Sequence, residues 1–325
     1  MTEALKTAGF IYNEQGKLDT PAMRANSNLV TNGTLSHEDY IKWDTKMIDV
    51  ARTRLNAVQD LIDNNLANEE FDLGDIVSKY EKLSDMTAAN VDMDGVTPSQ
   101  KDRLVFTETG VPIPVFHKGF QLNQRQILSS QRKPGASLPT TQLSVCTRLV
   151  ADQLESMVWD GVPSIVMDSL QVYGYTNHPN RNTKSISNAW GGGSETPVAD
   201  VRSMLDLAYA DNFHGPFILY VSLDNWGFIQ DDYSSSKGDR TYKERFEAFS
   251  DIISVRPGDG LADGELVLVQ MTEDVVDLAV AQNFTNFEQP QTNLMQHDFM
   301  VMAAMAIRVK ADSTGKCGVV HATGA

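Results

Sequence analysis

Little in this chain speaks for a disulfide scaffold, a membrane span or a nucleic-acid reader. Its 325 residues contain two cysteines, Cys146 and Cys317. They stand far apart, with no CxxC spacing and no histidine beside them. Neither a disulfide framework nor a zinc site is expected, and both read as buried free thiols of a reducing compartment. The longest apolar run, Phe299 to Ile307, falls far short of the roughly 20 residues that a membrane-crossing helix needs. Positive charge is scarce. Against 43 Asp and Glu stand 27 Lys and Arg, a formal net charge of -16. Affinity for phosphate comes from Lys and Arg, so tight wrapping of nucleic acid is excluded. Residues 1–10 lack the apolar core of a secretion signal, and the chain is expected to be soluble and intracellular.

Catalytic equipment is equally thin. Six histidines occur, His37, His117, His178, His214, His297 and His321, and no two have HxH or HExxH spacing. His297-Asp298 is the one suggestive pair, and beside an apolar strand it reads as a surface or strand-end pair rather than a dyad. Ser222 follows a strand without a Gly-x-Ser-x-Gly elbow. The acidic pairs Asp231-Asp232 and Glu273-Asp274 fall in loops and read as solvated charge. Trp190-Gly191-Gly192-Gly193-Ser194 lacks the following Gly-Lys-Ser/Thr of a phosphate loop and reads as a flexible joint. Asn90 to Gly95 resembles the start of a calcium loop, but Lys101 stands where its twelfth-position Glu belongs; a turn is the better reading. The aromatic residues form no base-stacking pattern. No catalytic, cofactor-binding or metal-ligating residue is assigned, no cofactor is expected, and the chain does not read as an enzyme.

What is present is shape. The hydrophobic content of 41% suffices for one large domain or two modest ones. Residues 1–35 are polar and irregular and read as an extended arm that cannot fold alone. Ser36 caps the start of a helix expected to run to about 66, with Tyr40, Trp43, Met47, Val50, Val58, Leu61 and Ile62 as its apolar stripe. Residues 103–107 and 111–117 read as two arms of a hairpin. Pro112 and Pro114 place it at an edge, so 72–116 is expected to be a projecting β-loop. Pro139-Thr140-Thr141 opens a second helix, to about 160. Leu143, Cys146, Leu149, Val150, Leu154, Met157 and Val158 form its stripe, and Gly161 lies just past its end. A helix at 197–212, strands at 217–221, 266–270, 275–280 and 299–309, and a short helix at 242–249 complete the pattern. Asp259-Gly260 and Asp263-Gly264 are tight turns leading into a buried-type strand. Helices and strands mix without a βαβ rhythm, which predicts an α+β fold.

In this order the segments become recognisable. Val111 to Leu122 resembles the strand that leaves the extended loop in encapsulins and related phage coat proteins. Leu154-Glu155-Ser156-Met157-Val158-Trp159-Asp160-Gly161 resembles the end of their spine helix. Val172 to Pro179 is similar to their Gly-Leu-x-Asn-x-Pro turn, with Tyr175 in place of the usual Leu. Gly215 to Ser222, Asp263-Gly264 before Val267-Leu268-Val269, Val276 to Val280, and Ala306 to Lys310 are similar to their apical domain and return strand. The chain resembles the tailed-phage major capsid proteins of HK97-like fold, with encapsulin nanocompartments as close relatives.

The resemblance implies an arm at 1–35, an N-terminal helical region at 36–71 and an extended loop at 72–116. It further implies a peripheral domain at 117–195 built on a spine helix at about 140–160, an apical domain at 196–284, and return strands to the peripheral domain at 285–325. It implies a virion shell built of pentamers and hexamers of one subunit and assembled in the host cytoplasm. Portal, scaffolding and decoration proteins are then partners, DNA is enclosed without tight specific binding, and no membrane is involved. Candidate contacts between copies are Phe106, Ile113 and Phe116 of the loop, Trp43 and Met47 of the first helix, and Asp259 and Asp263 of the apical turns. The long polar lead and projecting loop favour a virus coat over a cargo-holding compartment. A soluble hydrolase and a phage tail or adaptor component are the remaining alternatives. The Lys, Asn and Glu of self-crosslinking relatives have no placed counterpart.

Overall fold

A computed structural model describes residues 11–12, 18–19, 37–84, 86, 91, 93, 101, 103–125, 140–191, 196–232, 240–289 and 295–325. Most of the expected arm, the calcium-like stretch and the glycine joint beyond Gly191 lie outside the described residues. The helices are α1 (His37–Arg54), α2 (Ala57–Asp63), α3 (Thr140–Asp160), α4 (Pro197–Ala210), α5 (Leu223–Phe228) and α6 (Tyr242–Glu247). The strands are β1 (Ile11–Tyr12), β2 (Leu18–Asp19), β3 (Ala67–Asn68), β4 (Val77–Leu83), β5 (Phe106–Pro112), β6 (Val115–Asn123), β7 (Val162–Met167) and β8 (Leu170–Val172). After them come β9 (Asn182–Ser185), β10 (Phe217–Ser222), β11 (Ile252–Gly258), β12 (Glu265–Gln270), β13 (Val276–Glu288), β14 (Gln296–Val309) and β15 (Val319–Thr323).

Helix α3 buries Leu143, Cys146, Val150, Leu154, Met157 and Val158 along one face, at the spacing the sequence predicts. Leu149, counted in that stripe, instead faces outward. At about 1.5 Å per residue α3 is a rod of about 30 Å. It ends at Gly161, whose φ of 66° no β-carbon would tolerate beside the Val172 carbonyl. The rod lies on a four-stranded sheet of order β3-β13-β14-β6. Its centre is the antiparallel pair β13–β14, registered from Val276 opposite Val309 to Glu288 opposite Phe299. Trp43, Phe120 and Phe299 meet beneath α1, with ring centroids 5.2–5.8 Å apart.

Two expectations are corrected here. The first helix is two helices, broken at Leu55-Asn56, because the N–H groups of Asn56, Ala57 and Val58 donate to the Glu155 carboxylate of α3 at 3.2, 2.8 and 3.4 Å. A side chain from elsewhere in the chain satisfies donors that a continuous helix would satisfy itself. Helix α2 closes with Asn65 in the left-handed region (φ 57°) and the Leu66 N–H bonded to the Leu61 carbonyl. The expected hairpin of 103–107 with 111–117 does not form. Strand β5 pairs with β4, from Val77 opposite Pro112 to Leu83 opposite Phe106, while β6 pairs with β14. The chain changes sheets at Ile113-Pro114, and β6 is an edge strand.

The second sheet has the order β11-β10-β12-β15-β9. It is covered on both faces. Ile218, Tyr220, Val267 and Val269 point into the core shared with α3, and Phe217, Leu219, Val221, Leu266 and Leu268 into a second core under α4 and α6. Such double burial is why Phe217–Ser222 reads as an unbroken apolar run rather than an alternating one. The expected boundary at 284/285 cuts through β13, which belongs to the four-stranded sheet throughout. Strand β15, expected to return to the peripheral side, pairs with β12 and β9 instead.

The two sheets meet around Trp159, whose ring stands edge-on to Tyr175 at 5.8 Å and Tyr220 at 5.1 Å. Gly260 is pressed against it: a β-carbon there would sit 2.2 Å from a ring carbon of Trp159. Tyr220 donates to Asp60 at 2.9 Å, and Arg256 lies 3.2 Å from the same carboxylate. Burial pushes the Glu155 carboxyl up to about 7, against the three backbone N–H groups that favour its charge. The folded chain therefore holds a proton that the unfolded chain releases near 4.5, the group's ordinary value. This stabilisation is complete below that value and is lost as pH rises through about 7. Its size is about 3 kcal/mol. Urea unfolding of the unassembled chain is expected to show that loss between pH 4.5 and 7.5, and Glu155→Gln to remove it. An identical pH dependence in the variant would refute the assignment. Trp43→Ala, which empties the aromatic cluster, is expected to lower stability by about 3–5 kcal/mol in the same assay.

Candidate assembly interface

Among the described residues, strands β4 and β5 form a ribbon of two strands with no third partner. A ribbon of this kind holds its shape only against something else. Met86, Val105 and Phe106 at its outer end, and Val91 and Met93 between them in sequence, are exposed, Val91 at 96%, Met93 at 99% and Phe106 at 60% of their surface. All five are apolar side chains left in solvent by a chain of net charge -16. The cross-strand ion pair of Lys79 with Glu108 at 3.8 Å is solvent-exposed and contributes little.

The foot of the ribbon is built differently. Asp277 of β13 and Arg308 of β14 are register partners and are both buried. The Arg308 Nε donates to Asp277 at 2.6 Å, and its terminal nitrogen pairs with the second carboxylate oxygen. Lys310 reaches that second oxygen at 2.9 Å. The guanidinium centre lies 5.2 Å from the ring of Phe71 and 5.9 Å from the ring of Tyr80 on β4. Ser78 Oγ donates to the Val111 carbonyl across the ribbon at 3.2 Å. On the other strand Gly110 leaves room for Leu170 of β8, 3.5 Å from where its β-carbon would be.

The residues picked from the sequence as contacts separate into two groups. Trp43 and Met47 are 1% and 2% exposed, and Ile113 is 8% exposed. These three belong to the chain's own core, and their selection as contacts is corrected. An apolar stripe on a helix states that a face is covered, not by what. Phe106 is exposed, Phe116 is half-buried, and Asp259 and Asp263 are exposed in their turns. Asp259 accepts from Asn56 Nδ2 at 2.7 Å, so it also ties the turn to α2. Two features went unnoticed in the sequence. One is the hairpin β7–β8, with Asp168 and Ser169 in the left-handed region and Val166 and Met167 exposed at its tip. The other is a groove of about 550 Å³ between β6 and α3, lined by Val115, Phe116, His117, Lys118, Leu149 and Gln153. The apolar run Ile165-Val166-Met167 followed by the turn residues Asp168-Ser169 was the available signal for the hairpin.

His297 is buried at the start of β14, not on the surface. It is bonded to Gln124 and lies 3.3 Å from Glu288. Cys146 and Cys317 are free and buried, and burial pushes the Cys317 thiol up to about 12. Among the described residues no three His, Cys, Asp or Glu side chains are grouped to hold a metal ion, and no helix is long and apolar enough to cross a membrane.

No curated protein matches the chain. Solved structures do match its fold. The virus-like particle from Pyrococcus furiosus is 15% identical with a TM-score of 0.59, covering 87% of this chain and 98% of that one. The capsid of Myoviridae phage XM1 is 9% identical with a TM-score of 0.62, covering 83% of this chain and 92% of that one. The capsid of an empty GTA particle is 11% identical with a TM-score of 0.56, covering 95% of this chain and all of that one. The fold is the α+β, HK97-like fold of capsid proteins. A family model described as a family of unknown function (DUF6260) matches residues 28–322. The chain belongs to that DUF6260 family and carries an HK97-like capsid fold.

Proposed function

We propose that the chain is a major capsid protein that self-assembles into the icosahedral shell of a tailed double-stranded DNA bacteriophage. The observation that carries this reading is the β4–β5 ribbon, whose apolar end has no cover among the described residues, on a body with the capsid fold. A limb of this kind has a use on a second copy and none on a solitary molecule. In this reading residues 1–35 are an arm laid on a neighbour, and 36–71 are a helical region packed under the spine. The loop at 72–116 reaches the next subunit. The spine helix α3 and the four-stranded sheet form a peripheral domain within 117–195 and 285–325, and the five-stranded sheet forms an apical domain largely within 196–284. Phe106, Phe116 and Asp263 lie on the faces that meet neighbours, and Asp259 fixes the apical turn. Pentamers and hexamers of one subunit close the shell. Each contact is weak alone, and multivalency compounds them. The net charge of -16 keeps enclosed DNA from adhering to the wall. The site of action is the virion, with assembly in the host cytoplasm and with portal, scaffolding and decoration proteins as partners.

One observation favours a second reading. The match to the Pyrococcus furiosus particle extends over 98% of that chain, so a compartment that encloses protein cargo fits the same fold. Particles isolated from the native source separate the two: enclosed DNA supports the virion, an enclosed enzyme the compartment.

Electron microscopy of the purified protein is expected to show closed shells of uniform diameter. A compact monomer at every protein concentration and salt tried would overturn both readings. Phe106→Glu places a charge on an exposed position and is expected to change the stability of the unassembled chain by less than about 0.5 kcal/mol. Assembly is nevertheless expected to be lost. Deleting residues 90–105, or residues 1–35, is expected to give the same phenotype, a folded subunit that forms no normal shells. Normal shells from these variants would remove the limbs from the mechanism.

A further inference from the structure

The β4–β5 ribbon needs a direction as well as a contact surface, and its foot supplies one. A two-stranded ribbon bends and twists easily, so its angle is fixed only where it is attached. Tyr80 is the attachment on β4. Its register partner across the ribbon is Thr109 of β5. Its ring meets two cations, the Arg308 guanidinium of β14 at 5.9 Å and the ammonium of Lys310, just beyond β14, at 5.8 Å. Phe71, a few residues before β4, lies 5.2 Å from the same guanidinium. Asp277 neutralises both cations from the neighbouring strand. Lys310 also donates to the Glu273 carbonyl at 2.8 Å, which fixes its position.

A buried ion pair is an expensive way to fill space, and apolar residues of equal volume commonly do as well or better. Its retention at this position is explained by geometry. A guanidinium is flat and rigidly held by two bonds to one carboxylate, so it presents defined faces to the rings beside it. Strands β13 and β14 are the longest in the chain and are pinned beneath α3. A ring that docks on Arg308 is therefore oriented relative to the most rigid part of the body.

We infer that Arg308, packed beside Phe71 and Tyr80 and held by Asp277, is a positioning residue that sets the angle at which the β4–β5 ribbon leaves the body, and through that angle the curvature of the shell. This rests on the shell reading above. The ribbon end decides whether copies meet, and the clamp decides how. A small loosening in every copy is multiplied over all the contacts of a closed shell.

The test changes the ring and leaves the buried ion pair intact. Tyr80→Phe keeps the π face and loses the hydroxyl; Tyr80→Leu keeps apolar bulk and loses the π face. Shells of wild type, Tyr80→Phe and Tyr80→Leu are sized by electron microscopy, and the unassembled chains are compared by thermal unfolding. Tyr80→Phe is expected to keep the wild-type diameter. Tyr80→Leu is expected to give mixed diameters and open sheets, with an unfolding midpoint close to that of Tyr80→Phe. Phe71→Leu, which removes the other ring beside the guanidinium, carries the same expectation and serves where Tyr80→Leu does not fold. Uniform shells of wild-type diameter from the leucine variants, or equal misassembly of Tyr80→Phe and Tyr80→Leu, would overturn the clamp while leaving the shell reading intact. Absence of shells from the wild-type chain would overturn the shell reading first, and the clamp with it.

Discussion

The pairing of β13 with β14 is the reference to which every other part of the chain is fixed. Helix α3 lies across it, α1 closes over its Phe299 end, β6 extends it at one edge and β3 at the other. The five-stranded sheet follows from it through a short connection, since Met271 is bonded to Pro216 at one end and Val276 to Thr272 at the other. The ribbon foot stands on its Arg308. Loss of this pair would leave each remaining element with an uncovered apolar face, and none of them is large enough to fold alone.

Two buried carboxylates on this frame are handled in opposite ways. Asp277 is matched by two cations, Arg308 and Lys310. Glu155 is matched by backbone N–H groups at the start of α2, and burial outweighs them, so its proton is held to near neutral pH. Asp277 therefore acts as a fixed anchor and Glu155 as a joint whose strength depends on pH. The joint lies where α2, α3 and the turn before β12 converge, between the two sheets.

What the sequence made legible was whatever depends on near neighbours along the chain. The apolar period of Leu143 to Val158 identified α3, the continuous run Phe217 to Val221 identified a strand, and the Asp-Gly turns placed the start of β12. What it concealed depends on distant partners. Nothing near Asn56 announces that Glu155, about a hundred residues on, ends one helix and starts another. Nothing in Val111 to His117 says that β5 pairs backwards with 77–83 while β6 pairs forwards with 296–309. Trp43 and Met47 were misassigned because periodicity is the same for a face covered by one's own core and a face covered by a neighbour. The Arg308 clamp was invisible for the same reason: its four partners are drawn from Phe71, Tyr80, Asp277 and, through the carboxylate, Lys310.

Acidity and the apolar ribbon end work against each other in a useful way. A net charge of -16 on each copy opposes random association of identical molecules. The opposition is spread over the whole surface and is screened within about 10 Å at moderate salt. In the proposed shell the attraction is confined to the apolar ribbon end and the surface it meets, where burial is insensitive to that screening. In that shell, copies that approach in arbitrary orientations meet mainly repulsion, and copies that meet through the ribbon end gain burial that repulsion does not cancel. Specificity in such a system comes less from the strength of any contact than from the rarity of orientations in which attraction wins, and the direction of the ribbon decides which orientations those are.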